Sequence, residues 1–148
     1  MASFLLTWNP DTARWSDAEF DEAAERSAAG HALPSRWGVG IRKSGIAVGD
    51  TAYLVRQRRD RGIVASGRFA SEIYEDVRWD GSGRTTTYAD VRFDVIVPLV
   101  DRLPVVLLKH RVPAVPWDHL QGSGVRVPAR SEPGLEALWL AHAGQGRG

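Results

Sequence analysis

Apolar residues along this chain come in short runs separated by charged interruptions, and their spacing sorts the chain into strands and helices. Phe4-Leu5-Leu6-Thr7-Trp8 reads as a short buried strand. Asn9-Pro10-Asp11 ends it, because proline carries no N–H and restricts the residue before it. Ser16-Asp17-Ala18-Glu19 has the form of a capping box, with Ser16 as N-cap and Glu19 reaching back to it. Trp15 and Phe20 occupy the two positions of a hydrophobic staple, so Trp15 reads as structural. This helix is expected to run to about Ala29 and to stop at Gly30.

Strands dominate the middle of the chain. Residues 51–57 and 62–69 form a hairpin joined by Arg58-Arg59-Asp60-Arg61. Asp80-Gly81-Ser82-Gly83 marks a turn. Polarity alternates over 86–97, with Val91, Phe93, Val95 and Val97 on one face and Asp90, Arg92 and Asp94 on the other. That is the pattern of a half-buried strand. Residues 105–108 read as a short apolar strand, and Gln121-Gly122-Ser123-Gly124 as a loop. Ser131 is expected to cap a last helix in which Leu135, Leu138 and Trp139 share a face. Residues 1–143 then make one domain, and 144–148 a tail or the start of a linker.

Composition changes this picture little. A chain of 148 residues with 43% hydrophobic and 25% charged residues is ordinary for one globular domain with its own core. The absence of cysteine excludes disulfides and thiolate metal sites and fits a cytosolic protein. Met1-Ala2-Ser3-Phe4 has no basic stretch before a long apolar run, so neither a signal peptide nor a membrane span is expected. A net charge of +1 decides nothing about partners, but its distribution does. Acids crowd residues 17–25, while cations gather at Arg56, Arg58, Arg59 and Arg61 and again at Arg36, Arg42 and Lys43.

Aromatic planes beside arginines and tight glycine turns suit one task, holding a flat, unstacked base against a phosphate backbone. Trp37 stands between Arg36 and Gly38-Val39-Gly40, which reads as a flexible basic segment, and is the first candidate wall of a base pocket. Its alternative is a lid over the end of a barrel. Trp79 stands just before the Asp80-Gly81 turn, and Tyr74, on the stretch before it, could simply roof the core. Trp8 and Asn9 end the first strand. Asn9 is the only asparagine, and its amide offers donors and an acceptor to a base edge, or makes a plain Asn-Pro turn. Arg56 and Gln57 end a strand and face either the pocket or the exterior. Arg42, Lys43, Arg58, Arg59 and Arg61 suit phosphates, or keep an exposed hairpin soluble. Backbone N–H groups at Ser123-Gly124 suit a phosphate too, or form a simple turn. Trp117 reads as core or rim.

Catalysis finds no support in the motifs. His31, His110, His119 and His142 are scattered, and the pairs Asp76/Asp80 and Asp90/Asp94 lack a nucleophile or metal motif beside them. No phosphate-cradling P-loop is present. A binding protein without metal or cofactor is expected.

Taken in order, Phe4 to Pro10, Arg36 to Lys43, Gly49-Asp50, Ala52 to Gln57 and Gly62 to Gly67 resemble the EVE/YTH-like branch of the PUA-like superfamily. The chain is similar to bacterial DNA-binding domains that often precede an HNH nuclease, from about Phe4 to about Trp139. The resemblance implies an α+β fold, a PUA-like (EVE/YTH-like) curved mixed sheet closing into a small barrel flanked by helices. It implies a reader of double-stranded DNA carrying 5-methylcytosine or 5-hydroxymethylcytosine, which flips the base into an aromatic cage. The pocket would draw on Trp37, Trp79, Trp8, Asn9, Tyr74 and Gln57. The DNA backbone would lie on Arg36, Arg42, Lys43, Arg56, Arg58, Arg59, Arg61, Ser123 and Gly124. The His-Asn-His set of the nuclease is missing, so cutting would come from a separate domain or subunit. Other branches imply other roles: an RNA reader of N6-methyladenosine or structured RNA, or an ASCH-like enzyme using Lys43 with a carboxylate. A module that binds protein through its aromatics is a further alternative.

Overall fold

The computed structural model describes residues 1–12, 15–40, 42–78, 81–120 and 122–147. In chain order the elements are β1 (Ser3–Trp8), α1 (Asp17–Ala28), β2 (Leu33–Gly38), β3 (Thr51–Arg56), β4 (Gly62–Phe69), β5 (Tyr74–Val77) and β6 (Thr85–Ile96). Then follow β7 (Leu103–Pro104), α2 (Val105–Arg111), β8 (Val125–Arg126) and α3 (Glu132–Arg147), with short 3₁₀ turns between them. The start of α1 is the expected capping box. Ser16 Oγ accepts from the Glu19 N–H at 3.1 Å, and Glu19 Oε1 accepts from the Ser16 N–H at 3.2 Å. Gly30, at φ +93°, follows its last turn.

The strands build one mixed sheet in the order β2-β6-β4-β3-β1-β8, with β5 added to β6 and β7 to β4. Among the described residues the parallel pairing joins β1 to β3, while the β3–β4–β6 run and the β2–β6 pair are antiparallel. The expected barrel does not form. The path begins at β2 and ends at β8, and among the described residues no ladder joins those strands. Closure needs the last strand to pair with the first along its length. β8 is two residues long and already pairs with β1. Among the described residues, loops beside the two edges touch, and Arg42 Nε donates to Gly124 O at 2.8 Å. Gly124 sits so close that an added Cβ would lie 2.9 Å from Val39 O.

Side chains alternate across β1 and so split the interior into two cores. Phe4, Leu6 and Trp8 pack with Phe20 and Ala24 of α1, whereas Leu5 packs with Leu108 of α2 and Leu135 and Trp139 of α3. The sheet is thus covered on one face by α1 and on the other by α2 and α3. Among the described residues no helix is long and apolar enough to cross a membrane.

Three local expectations change. Residues 105–108 are helical: Val105, Leu108 and Val112 recur at helical spacing and are buried, while Val106 is 81% exposed. Val95 and Val97 do not share a face with Val91 and Phe93; the first pair packs in the α2/α3 core and the second in the α1 core. A bulge causes the slip, since β4 pairs Ser66 with Val95 but the next residue, Gly67, with Phe93. The segment around Trp37, read as flexible, is partly strand: Arg36, Trp37 and Gly38 end β2, which pairs with β6 throughout. α3 runs through Arg147.

Candidate functional site

The C-terminal ends of β1 and β2 and the protruding β5–β6 hairpin meet at a cavity of about 290 Å³. Trp8 and Asn9 reach it because β1 ends there. Trp37 and Gly38 reach it because β2 runs alongside, and Ser123 comes from the loop before β8. Tyr88 closes it from β6, at the one position paired with both neighbours: with Gly38 of β2 and with Tyr74 of β5. A larger hollow of about 640 Å³ lies along α1, bordered by Glu22, Arg26 and His31. Its charges are already engaged, Glu22 with Arg26 and Glu19 in the capping box, so size is a poor guide here.

The cavity's walls are held by a chain of rings. Trp8 lies 5.8 Å from Trp15 and 4.9 Å from Phe20; Trp15 lies 5.2 Å from Trp37, and Trp37 meets Phe93 edge-on at 6.2 Å. Trp15 therefore bonds the staple to the walls. Trp37 is only 4% exposed, and its Nε1 donates to Thr7 O at 3.1 Å. It is a wall set into the core and not a ring on a mobile loop. Trp8 is 1% exposed and Tyr88 2%, and among the described residues the Trp8 Nε1 and the Tyr88 hydroxyl, both buried, have no hydrogen-bond partner. Asn9 uses its Oδ1 to accept from the Asp11 N–H at 2.9 Å, the Asx turn expected of an Asn-Pro corner. Its Nδ2 makes no hydrogen bond among the described residues.

Two expected pocket residues stand off the cavity. Tyr74 is half-buried and donates its hydroxyl to Asp90 Oδ1 at 2.6 Å. Burial, helped by that carboxylate, pushes its phenol up to about 12. Gln57 accepts from Arg61 Nε at 3.3 Å. Trp79 lies outside the described residues.

The cations separate into three groups. Arg56 is fully buried: it donates to Asp17 Oδ1 at 2.9 Å and to Arg59 O at 3.1 Å, with its guanidinium 4.7 Å from the Trp8 ring centre. It leaves no surface for a phosphate and instead ties Trp8, α1 and the hairpin together. Arg58 and Arg59 are exposed and share Asp11, whose carboxyl Arg59 above all holds below its ordinary value. Arg61 pairs with Asp118 at 3.0 Å, and Lys109 and Arg61 together lower the Asp118 carboxyl. Arg36 pairs with Asp76 at 2.6 Å and places its guanidinium 3.9 Å over the Tyr88 ring. Arg42, Lys43, Ser123 and Gly124 do come together, with Arg126, around an open cleft of about 520 Å³. Ser123 borders both this cleft and the cavity, and its Oγ accepts from the Thr7 N–H at 3.1 Å.

Sequence reasoning missed Tyr88 and Arg126. Both sit on strands whose alternation announces burial or exposure and nothing about what lies opposite; only the pairing of β6 with β2 and β5, and of β8 with β1, puts them at the site. Nothing in the arrangement favours covalent chemistry. Among the described residues no group of three or more His, Cys, Asp or Glu could hold a metal, and the cavity wall has neither carboxylate nor histidine. Lys43 has no carboxylate partner among the described residues, so the pair an ASCH-like enzyme would need is not assembled.

No family model matches the sequence, and no curated protein matches it. Solved structures do match in fold. A human THYN1 protein, in a complex with DNA containing 5-methylcytosine, is 14% identical with a TM-score of 0.58; the match covers 93% of this chain and 97% of that one. A hypothetical protein from Leishmania major is 15% identical with a TM-score of 0.60, over 98% and 96%. A protein from Rhodopseudomonas palustris is 19% identical with a TM-score of 0.56, over 99% and 93%. At such identities the likeness is one of fold, and the fold resembles that of the EVE-domain family.

Proposed function

We propose that this chain reads a modified base in double-stranded DNA, 5-methylcytosine or 5-hydroxymethylcytosine, by rotating it out of the duplex into the cavity between Trp8, Trp37 and Tyr88. The observation that carries this reading is the juxtaposition of that aromatic-walled cavity with the Arg42–Lys43–Arg126 cleft, joined through Ser123. A flipped nucleotide needs both at once, a dry slot for the base and cations for the phosphates beside it. The fold shared with the human THYN1 protein, which is in a complex with 5-methylcytosine DNA, supports the choice of base. Extrusion costs a few kcal/mol, and stacking on aromatic side chains offsets about 1–3 kcal/mol per base. A buried methyl adds only about 0.8 kcal/mol, so strong discrimination needs shape exclusion or a displaced water. In this reading the hairpin cations Arg58, Arg59 and Arg61 extend the phosphate-binding surface beyond Asp11, and any cutting is done by a separate nuclease domain or subunit.

The test is a titration with matched oligonucleotides: unmodified, 5-methylcytosine, 5-hydroxymethylcytosine and N6-methyladenine, each as DNA and as RNA. Tighter binding of a 5-modified cytosine duplex, without added metal, is the expected result. Equal affinity for modified and unmodified DNA, with a clear preference for RNA, would overturn the reading.

A further inference from the structure

Arg58 and Arg59 are neighbours in the chain, and neighbours along an extended strand point to opposite sides. Here both reach one point. Arg58 Nε lies 3.2 Å from Asp11 Oδ2, and Arg59 Nη1 lies 2.6 Å from Asp11 Oδ1. The backbone makes this convergence possible. Arg58 has a φ of +72°, in the left-handed region that glycine adopts freely and arginine only at a cost. Arg59 O accepts from Nε of the buried Arg56 at 3.1 Å, which fixes the hairpin tip against the core. The three charged side chains stay open to solvent, at 64% for Arg58, 54% for Arg59 and 49% for Asp11.

Asp11 belongs to the turn that follows β1. Its N–H donates to Asn9 Oδ1 at 2.9 Å, and Thr12 Oγ1 donates to Asn9 O at 2.7 Å. Asn9 and Thr12 both border the cavity. Cations therefore approach the cavity twice, Arg42, Lys43 and Arg126 through Ser123, and Arg58 and Arg59 through this turn. A nucleotide within a strand likewise carries a phosphate on each side of its sugar. Two guanidiniums converging on a carboxylate offer the donors that a phosphate takes, since both anions accept from arginine in the same forked geometry. An exposed ion pair of this kind is weak and screened by salt, so a polyanion can displace it.

We infer that the point held by Asp11 between Arg58 and Arg59 is a binding site for a backbone phosphate of the strand whose base enters the cavity, and that the Asp11 carboxylate is its internal competitor. This rests on the base-reader reading above and deepens it. On binding, the phosphate takes the two guanidiniums, and Asp11 turns out to water and gathers a cation of its own. The competition lowers affinity for any duplex, because a phosphate carries no base identity.

Asp11→Asn removes the charge while keeping the side chain's size and the backbone N–H to Asn9. It is expected to bind 5-methylcytosine and unmodified duplexes alike about three- to tenfold more tightly at low salt, with a slope of log affinity against log salt steeper by about one unit. Arg58→Gln with Arg59→Gln removes the site, and adding Asp11→Asn to that pair brings no such gain. An equal gain in both backgrounds would mean that bulk charge alone is at work and would overturn the inference. No gain, weaker binding, or a gain confined to the modified duplex would overturn it too. Each of those results leaves the reader function standing where wild type still prefers 5-modified cytosine. If wild type binds all duplexes equally, yet the gain appears and the arginine changes abolish it, the reader function falls and the phosphate site remains.

Discussion

At the scale of single residues, tryptophans that look alike in the sequence do different work. Trp15 sits at a staple position, and its partner Phe20 lies 5.8 Å away, as the spacing of the capping box requires. Trp37 carries two roles at once, because its ring packs on Trp15 and Phe93 while its edge borders the cavity. Trp37→Ala should accordingly cost about 3–5 kcal/mol of stability, the usual cost of truncating a buried aromatic, and abolish discrimination of the modified base. Chemical denaturation checks the first and a paired titration the second; unaltered stability would mean the ring lies outside the core. Flanking glycines suggested a mobile ring, and that reading was misled by composition. β6 offers a ladder to residues 33–38 that no pattern within those residues announces.

At the scale of elements, one glycine sets the phase of the longest strand. Gly67 lies against β6 so closely that a Cβ would fall 1.9 Å from Arg92 O, at the bulge that turns Val95 and Val97 to the opposite core from Phe93. Backbone cannot yield as a flexible side chain does, so Gly67→Ala should unfold the protein or force β4 and β6 apart. Loss of the cooperative thermal transition, against an intact one for Gly30→Ala, checks this; Gly30 has nothing within 4 Å of its added carbon, although its φ of +93° makes that change a modest cost. The hairpin between β3 and β4 was legible because its strands are neighbours in sequence. α2 was not, since a run of four apolar residues fits either period and the decision fell to the surface on which it docks.

For the whole molecule, the distribution of charge matters more than its sum of +1. Most cations are held by an acid: Arg58 and Arg59 by Asp11, Arg61 and Lys109 by Asp118, Arg36 by Asp76. Lys43, exposed in the cleft beside the cavity, is in no ion pair among the described residues. Lys43→Gln should therefore flatten the slope of log affinity against log salt by about one unit and weaken modified and unmodified DNA alike. The Arg58 and Arg59 changes should flatten it less, because each of those guanidiniums already has a counter-charge in Asp11. A salt titration of each variant decides it, and equal slopes for Lys43→Gln and wild type would move the DNA away from the cleft.

By itself the sequence determined what depends on near neighbours along the chain. The capped first helix, the arginine-tipped hairpin and the apolar face of the last helix follow from spacing, since each rests on contacts within a few residues, whereas the alternation over 86–97 held only up to the bulge opposite Gly67. It also determined that cysteine chemistry is absent. Only the tertiary structure decided the rest. It left the sheet open at β2 and β8, for a two-residue strand cannot close it, and it took Arg56 out of solvent. It brought Trp8, Asn9, Trp37, Tyr88 and Ser123 from separated segments to one cavity. It also buried the Trp8 indole N–H and the Tyr88 hydroxyl without a partner among the described residues. Which atoms lack a partner is a property of everything packed around them, and no pattern along one strand can state it.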